Sequence, residues 1–377
     1  MADFNTFIGN ISKEQFFEEY WQKKVLVVKN AFTSQKSLAE FQEILSLGLD
    51  EDYETRLVSE KDGEYPWQAL EGPFDKEVLD LKNGKSFTFI AHNLNLYFSE
   101  FYQFQKMLNF FPTWLFDDVM ATCSTKGATV GAHVDNYNVF ILQGKGKRNW
   151  QIQYNPDTSY IDDLDIKLLQ NFNPDHEYVL SEGDMIYIPP QVAHNGISLE
   201  NSLSYSVGFR AFNNKDMVFS YFNHMLEKYE SYDYFKMDNL FSSNPDELTN
   251  NDFLQATNIL KSALNDESLI KEWFAKYTSE PRVESYEPEI LKQSLDLSKK
   301  YFKNEFTRLT FYSDKENFCL NINSNSFLVN KSDLNLLTQI FKNSPLEALT
   351  IDPNKVSKKA SEILLELYNL GIIYCQE

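Results

Sequence analysis

The feature that most constrains the fold of this chain is a series of short apolar segments between about residues 85 and 210. Residues that favour turns, such as Gly, Asn, Asp and Pro, separate these segments. The predicted strands cover residues 87–90, 119–124, 139–142, 150–153, 184–188 and 205–209. Many short strands separated by turns are typical of a β-barrel or a β-sandwich. We therefore expect the middle of the chain to form one of these two architectures.

Helical patterns flank this region on both sides. Ser12 can cap a first helix over residues 12–22, with Gln15 as its capping-box partner, and a short strand follows at 26–28. Further helices are predicted over residues 36–47, 217–229, 252–264 and 269–277. In the C-terminal part, predicted strands at 308–312, 318–322 and 326–329 precede helices at 332–341 and 356–370. Helices with a small β-ribbon suggest a winged-helix-like module after a linker at about 280–288, and the whole chain is predicted to be α+β.

Length and charge limit the class of protein. A chain of 377 residues is long enough for two or three domains. Its formal net charge of −20 disfavours binding to nucleic acid, because phosphates would be repelled, and it favours a basic partner. The winged-helix-like region carries no dense basic stripe, so we expect no direct contact with nucleic acid.

The cysteines and the N-terminal residues bear on the cellular compartment in which the protein is expected to work. Cys123, Cys319 and Cys375 are odd in number and far apart, which argues against a disulfide framework or a CxxC zinc site and suits a reducing compartment. The N-terminal residues lack the basic and apolar regions of a secretory signal. No apolar run approaches the length of a membrane span. A cytoplasmic location is therefore the expectation.

Two histidines lie in informative contexts. His133 and Asp135 form an HxD sequence just before the predicted strand at 139–142. Because residues i and i+2 of a strand point to the same face, the imidazole and the carboxylate are expected to share one space. His194 follows a Gly-Asp turn, an apolar strand and a Pro-Pro pair. An isolated HxD is common by chance and a lone His after Pro-Pro is usually a loop residue, but the joint spacing is specific and predicts a metal site.

Two histidines and one carboxylate on one face of a metal form the facial triad of non-haem iron(II) oxygenases. Three protein ligands leave three adjacent coordination positions open. Two positions can take a bidentate 2-oxo acid and the third can take O₂, whereas a fourth protein ligand would block this arrangement. The remaining histidines are not predicted ligands: His176 fits a loop, and His92 and His224 fit helix or surface positions.

A 2-oxo diacid also needs a cation for its far carboxylate. The segment 144–150, on the strand after the HxD sequence, offers Lys145, Lys147 and Arg148. Arg148 is the preferred candidate, because a guanidinium can bind a carboxylate through two parallel hydrogen bonds. The two lysines fit a solvated turn.

At these residues the chain resembles the bacterial JmjC-type ribosomal oxygenases of the cupin superfamily. The likeness spreads through about residues 20–212 and includes the segments 20–28, 56–74, 114–120, 137–150 and 205–211. Three features depart from the family pattern: the turn at 126–131 is less glycine-rich, Asn138 stands where an Asp is expected, and Ser204 stands where an Asn is expected. These departures leave the predicted metal ligands unchanged and concern contacts with the cosubstrate and the substrate.

The resemblance implies a JmjC double-stranded β-helix (cupin) barrel over 1–212, a helical dimerisation segment over 213–285 and a winged-helix-like domain over 286–377, in a homodimer. It implies Fe(II), 2-oxoglutarate and O₂ as requirements. By motif position, the catalytic metal ligands are His133, Asp135 and His194, and the residues that bind 2-oxoglutarate are Arg148 and Ser124.

The resemblance further implies hydroxylation of an arginine side chain in a large-subunit ribosomal protein, a basic partner that suits the acidic charge. The class also contains histidine hydroxylases, so histidine remains an alternative target. Asp117, Asp118 and Tyr137 are candidates to hold a substrate guanidinium; the competing interpretation is a helix cap or barrel packing. Three other interpretations are disfavoured. The lack of chromatin-reader modules argues against a JmjC histone-type lysine demethylase, and the long helical and winged tail argues against a small-molecule cupin dioxygenase. The intact triad with Arg148 and the lack of a basic face argue against a non-catalytic cupin regulator.

Overall fold

In a computed structural model of the chain, the described residues are 8–9, 11–32, 39–60, 67–80, 86–108, 110–227, 248–281, 291–342 and 344–375. The chain divides into two compact units, Met1–Ala211 and Phe212–Glu377. The predicted division into a catalytic domain, a dimerisation segment and a winged-helix-like domain assigns roles as well as boundaries, and it stays a prediction.

The first unit begins with a short helical segment and is otherwise built on strands. Ser12 caps α1 (Lys13–Gln15) by accepting a hydrogen bond from the backbone amide of Gln15, and a π-helix follows over Phe16–Tyr20. The other α-helices described in this unit are α2 (Phe41–Ser46), α3 (Leu94–Tyr97) and α4 (Ser99–Met107). The strands are β1 (Leu26–Val28), β2 (Thr55–Glu60), β3 (Trp67–Glu71), β4 (Phe87–Ala91), β5 (Phe116–Ser124), β6 (His133–Val134), β7 (Tyr137–Lys145), β8 (Arg148–Gln153), β9 (His176–Leu180), β10 (Met185–Ile188), β11 (Ala193–Ser198) and β12 (Ser202–Arg210).

These strands form two antiparallel sheets in the part of the unit that the structure describes. The larger sheet has the order β1-β10-β7-β12-β5-β4-β2-β3, and the smaller has the order β6-β11-β8-β9. From β5 onward the chain passes repeatedly from one sheet to the other, which is the connectivity of a double-stranded β-helix. Side chains of both sheets meet in one core, with Val139, Ile141 and Ile186 from the larger sheet and Trp150, Ile152 and Leu180 from the smaller. The predicted cupin barrel is confirmed.

The central strands of the larger sheet are buried on both faces. In β7, Val139 and Ile141 face the smaller sheet, whereas Phe140 packs against the N-terminal helical segment, with its ring centre 5.8 Å from that of Phe16. Successive side chains of a strand point to opposite faces, so a strand covered on both sides is a continuous apolar run. The alternation of side chains along β7 places Val139 and Ile141 inside the barrel.

The second unit begins with helices. These are α5 (Asn214–Leu226), α6 (Asn250–Leu264) and α7 (Glu267–Thr278). Helices α5 and α7 pack together through Tyr221, Met225, Leu269 and Trp273. Helix α6 starts with a capping box between Thr249 and Asp252.

The rest of the second unit mixes small sheets with helices. Strands β14 (Leu309–Asp314), β15 (Asn317–Ile322) and β16 (Asn325–Val329) form an antiparallel sheet, and β13 (Tyr301–Lys303) pairs with β17 (Ile373–Cys375). Helices α8 (Lys331–Ile340) and α9 (Lys358–Asn369) contribute to the same core. This arrangement agrees with the predicted winged-helix-like module and α+β class. A search of the described helices finds none long and apolar enough to span a membrane.

Some predicted elements differ from the structure. The helical segment expected over 12–22 ends at Tyr20 and is mostly π-helical, and His176 begins strand β9 instead of lying in a loop. Parts of the helices predicted at 36–47 and 217–229, and most of the linker at 280–288, lie outside the described residues. The family-like segment at 56–74 is likewise described only in part.

Candidate metal centre

The three predicted metal ligands lie together at one end of the smaller sheet. Strand β6 contains two residues and pairs with β11 so that His133 lies directly opposite His194. Asp135 follows one residue after the end of β6. Asp135 therefore lies just beyond the end of the strand, where the backbone turns, and its carboxylate still reaches the two imidazoles.

The donor atoms of this group are close enough to hold one metal ion. The Nε2 atoms of His133 and His194 lie 3.8 and 3.6 Å from Oδ2 of Asp135, and the ligand atoms all lie within 4.8 Å of one another. Two ligands 90° apart at about 2.1 Å from a metal would be about 3 Å apart, so small movements complete the geometry. Among the described residues, no other group of three or more His, Cys, Asp or Glu side chains has its ligand atoms this close together.

Backbone carbonyl groups orient both imidazoles. The Nδ1 atom of His133 lies 2.9 Å from the carbonyl oxygen of Gly131, and Nδ1 of His194 lies 3.0 Å from that of Val192. An Nδ1–H that donates to a carbonyl leaves Nε2 unprotonated and directed toward the metal position. Burial, followed by the nearby His133, lowers the pKa of His194 to about 4, so its imidazole is neutral at pH 7 and available as a ligand.

Two glycines allow this local geometry. Gly131 has a φ of +85°, and a Cβ atom there would lie 2.8 Å from the side chain of Leu168. Gly196 is paired with Trp150 across β11 and β8, and a Cβ atom there would lie 2.8 Å from the indole ring. Both positions need a residue without a side chain, because the turn before His133 is left-handed and Trp150 lies flat against the strand that carries His194.

A cavity inside the barrel connects the three residues with Arg148. Its lining includes His133, Asp135 and His194 together with Arg148 and Trp150. The empty space in and in front of this cavity is about 540 Å³. Both sheets supply its walls, so one small ligand can contact the metal position and the guanidinium.

Arg148 is a buried cation whose charge is not matched by an acid. No carboxylate of the described residues forms an ion pair with it, and its Nε atom is buried without a hydrogen-bond acceptor. Burial lowers its pKa to about 10, so the guanidinium remains charged at pH 7. A buried charge of this kind is costly unless an opposite charge binds to it. The site therefore fits an anionic ligand such as the distal carboxylate of a 2-oxo diacid.

Hydroxyl groups surround the guanidinium. Arg148 donates hydrogen bonds to the hydroxyl oxygens of Ser124 and Ser204, the latter at 3.2 Å. The hydroxyl groups of Ser124 and Thr88 lie 2.9 Å apart. Ser124, predicted to line the cosubstrate pocket, is thus beside the predicted anchor. Ser204, which departs from the family pattern, also contacts Arg148.

Two other predicted features lie away from the cavity. Asn138 is on the opposite face of β7, where its Oδ1 atom accepts a hydrogen bond of 2.7 Å from the hydroxyl group of Tyr187. This departure from the family pattern therefore does not touch the cosubstrate region. Lys147 is exposed in the turn between β7 and β8, as expected, whereas Lys145 is the last residue of β7 and forms an ion pair with Glu40.

The candidate substrate contacts have partners of their own. The Asp117 carboxylate lies 3.4 Å from Nε of Arg210, and the Asp118 carboxylate lies 3.8 Å from Nδ1 of His92. Tyr137 is 39% exposed and pairs with Arg210 across β7 and β12. Asp118 shares a strand face with Met120, which lines the cavity.

Sequence reasoning missed Thr88, Trp150 and the role of Ser204. A signal was present, since Thr122 and Ser124 in β5, and Ser204 and Ser206 in β12, stand at every second position of otherwise apolar strands. A small polar residue with period two indicates one polar face inside a barrel.

Comparison with known proteins agrees with this geometry. Residues 103–217 match the JmjC domain family. The chain is 28% identical over 279 residues to the ribosomal protein uL16 3-hydroxylase of Escherichia coli (strain K12), an alignment that covers 71% of this chain and 72% of that protein. The match places a JmjC domain at residues 103–217 of this chain, and the chain is an oxygenase. A probable ribosomal oxygenase of Haemophilus influenzae is 30% identical over 219 residues, which cover 55% of this chain and 52% of that protein.

Solved structures share the fold of this oxygenase over nearly its whole length. A structure of YcfD, a ribosomal oxygenase from E. coli in complex with cobalt and 2-oxoglutarate, has a TM-score of 0.76 at 23% identity and covers 97% of this chain and 99% of that one. Another E. coli YcfD structure has a TM-score of 0.79 at 24% identity, with 97% and 98% covered.

The cavity of this oxygenase suits Fe(II), 2-oxoglutarate and O₂ as cofactors, because two imidazoles and one carboxylate on one side leave coordination positions open. The buried guanidinium at the other side matches a second, distal carboxylate.

Proposed function

We propose that this oxygenase hydroxylates an arginine side chain of ribosomal protein uL16, with His133, Asp135 and His194 as the iron ligands and Arg148 as the anchor of 2-oxoglutarate. The observation that carries the proposal is one cavity lined by both the triad and an unpaired buried guanidinium. Similarity to the E. coli uL16 3-hydroxylase supports the substrate. Hydroxylation of a ribosomal histidine is the alternative for the same site.

Each protein group has a definite task in this proposal. When bound, Fe(II) with 2-oxoglutarate and O₂ supplies the oxidising chemistry that inserts one oxygen atom into an unactivated C–H bond. His133, Asp135 and His194 fix the metal on one side of the cavity. Arg148, supported by Ser124 and Ser204, binds the distal carboxylate and so sets the direction in which the cosubstrate enters.

Acidic and aromatic groups near the barrel end are suited to an arginine. A guanidinium is held well by a carboxylate or by the face of an aromatic ring. Asp118 lies on the strand face of cavity residue Met120, and Tyr137 follows Asp135 by two residues. The net charge of −20 also attracts a basic ribosomal segment before it docks. We assign Asp118 and Tyr137 to substrate recognition on this basis. The Asp117 carboxylate lies 3.4 Å from Nε of Arg210, closer to its basic partner than the 3.8 Å between Asp118 and His92.

The substrate prediction is that an arginine-containing peptide of uL16 gains the mass of one oxygen atom on incubation with Fe(II), 2-oxoglutarate and the enzyme. Fragmentation of the product should locate the oxygen on a side-chain methylene carbon of arginine. Turnover should fall as salt rises, because part of the encounter is electrostatic. Histidine-containing peptides of other basic ribosomal proteins are the matched comparison.

Oxidation of a histidine peptide, with none on the arginine peptide, would contradict the arginine assignment and leave the oxygenase intact. Oxidation of neither peptide, with normal uncoupled decarboxylation of 2-oxoglutarate, would contradict the ribosomal substrate altogether.

We further propose that the helices of the second unit form a homodimer interface. Phe219 and Leu226 on α5 are 68% and 60% exposed, and Phe253 and Leu260 on α6 are 57% and 56% exposed. The members of each pair are seven residues apart and therefore share one face of their helix, and exposed apolar faces of this kind mark interaction sites. Tyr221 on the same helix as Phe219 is not part of this surface, because it is buried within its own chain.

A dimer at micromolar concentration is the expected result of light scattering on the intact chain. Phe219→Asp should shift the mass toward the monomer, because a carboxylate buried in an apolar interface is strongly unfavourable. Leu328→Asp, at a residue of β16 that is 55% exposed, is the matched control and should leave the mass unchanged. A monomeric wild-type protein would mean that this apolar surface is covered in another way.

A further inference from the structure

The strand that carries His133 is weakly held by its own backbone. Strand β6 is two residues long, lies at the edge of the smaller sheet and pairs only with β11 there. At its far end, the backbone amide of Gln191 donates to the carbonyl oxygen of Asp135 at 2.9 Å, and the side chains of Gln191 and Asn136 are hydrogen-bonded. The far end is therefore fixed from the loop that precedes His194, and at the near end the backbone amide of Leu169 donates to the carbonyl oxygen of Ala132 at 2.9 Å.

Thr129 adds a side-chain link at this near end of β6. Its hydroxyl oxygen accepts a hydrogen bond of 3.0 Å from the backbone amide of Gly131, the residue whose carbonyl oxygen accepts the Nδ1–H of His133. The same hydroxyl group donates to Oδ1 of Asn195 at 2.5 Å. Asn195 directly follows His194 in β11. One hydroxyl group thus joins the turn that orients the first imidazole to the strand that carries the second.

Residues further from the metal position fix which groups donate and which accept in these hydrogen bonds. The Glu177 carboxylate can only accept, so Nε2 of Gln151 donates to it, at 3.1 Å. The remaining Oε1 of Gln151 accepts from Nδ2 of Asn195, also at 3.1 Å. Oδ1 of Asn195 must then face Thr129. The Thr129 hydroxyl group donates its proton to this oxygen, and a lone pair of the hydroxyl oxygen accepts from the backbone amide of Gly131. The series of hydrogen bonds that runs from Glu177 to Gly131 therefore has one consistent assignment of donors and acceptors.

We propose that Thr129 and Asn195 are positioning residues that pre-organise the metal site by fixing the orientation of His133 relative to His194. The inference rests on the proposed metal ligands and adds the means by which they are held. Partners that orient a metal-bound imidazole contribute strongly to affinity, and their loss weakens metal binding by about 10–100-fold. Thr129 acts through Gly131 and does not touch the metal position.

The test is the affinity of the metal-free, full-length protein for Mn(II) alone, measured by the electron paramagnetic resonance signal of free Mn(II). Thr129→Val keeps the shape of the side chain and removes the hydroxyl group, and it should raise the Kd for Mn(II) about tenfold. Thr129→Ser restores the hydroxyl group and should return the Kd to within about twofold of wild type. The visible absorption of Co(II) on the same variants should change in shape with Val and not with Ser.

A matched control separates positioning from a loss of stability. Thr125 accepts a hydrogen bond of 2.9 Å from the backbone amide of Phe87, in the same unit and away from the triad. Thr125→Val should lower Tm to a similar extent as Thr129→Val but leave the Kd for Mn(II) unchanged. Wild-type affinity in Thr129→Val, or an equal loss of affinity in Thr125→Val, would overturn the positioning role.

The failure of the proposed metal site has a different signature. Asp135→Ala removes a ligand and should abolish Mn(II) binding. Equal affinity in Asp135→Ala and wild type, or no binding by wild type, would refute the assigned ligands and the positioning role with them. Loss of binding in Asp135→Ala combined with normal binding in Thr129→Val would refute the positioning role alone.

Discussion

Asp135→Ala is expected to abolish turnover of 2-oxoglutarate and of the peptide substrate. Asp135 provides the anionic donor of the triad, and its Oδ2 atom lies within 3.8 Å of both imidazole Nε2 atoms. Loss of a partner that only orients a ligand weakens metal binding by about 10–100-fold, so loss of a ligand should reduce activity more than about 100-fold. Succinate formation and peptide oxidation, measured at saturating Fe(II), give the result.

The control for this variant is Asp52→Ala, which removes an exposed carboxylate of a turn in the same unit. It should retain full activity. The side chain of Asp135 is 38% exposed, so its removal should not unfold the barrel, and Tm is expected to remain close to the wild-type value. Full activity of Asp135→Ala would refute the assignment of this carboxylate as a ligand.

Arg148→Ala is expected to raise the KM for 2-oxoglutarate by about 100-fold or more. The guanidinium is buried, and no described carboxylate forms an ion pair with it. The distal carboxylate of 2-oxoglutarate would therefore form a charge-assisted hydrogen-bonded pair with it in a site that holds little water. Truncating one partner of such a pair costs about 3 kcal/mol, which corresponds to about two orders of magnitude in affinity. Initial rates at a range of 2-oxoglutarate concentrations measure the change.

Two variants make this experiment specific. Lys147→Ala removes the exposed neighbouring cation and should leave the KM unchanged. Arg148→Lys keeps a positive charge but loses the forked geometry, so its KM should fall between those of wild type and Arg148→Ala. Because an unpaired buried charge is unfavourable, Arg148→Ala should not lower Tm of the cosubstrate-free protein. An unchanged KM in Arg148→Ala would mean that another cation binds the carboxylate.

Several strands were predictable from local pattern, and others were not. The apolar cores of β4, β5, β7, β8, β10 and β12 are visible in the sequence because these strands are buried and rich in β-branched or aromatic residues. Strand β9 (His176–Leu180) was missed because its residues are mostly exposed and polar. The two-residue β6 has no pattern of its own, since its pairing comes entirely from β11.

Local sequence also supplied two of the three predicted metal ligands. His133 and Asp135 are two residues apart, and that proximity holds in any extended conformation. His194 could be assigned only by joining two distant motifs. What brings it opposite His133 is the antiparallel register of β6 and β11, which the buried faces of the neighbouring strands impose.

The surroundings of the triad were decided by tertiary structure. In the sequence, Asn138 and Ser204 were two similar departures from the family pattern near the cosubstrate. In the folded strands, Asn138 contacts Tyr187 on one side of the sheet, whereas Ser204 contacts Arg148 on the other. Nothing in the sequence indicated that Thr129 and Asn195 meet, because 66 residues separate them. The sequence by itself determined which chemical groups are present and which lie on alternate faces of a strand, since that period is a property of the backbone. Only the folded barrel decided which faces meet and which buried groups remain without a partner, because burial and register are cooperative properties of both sheets.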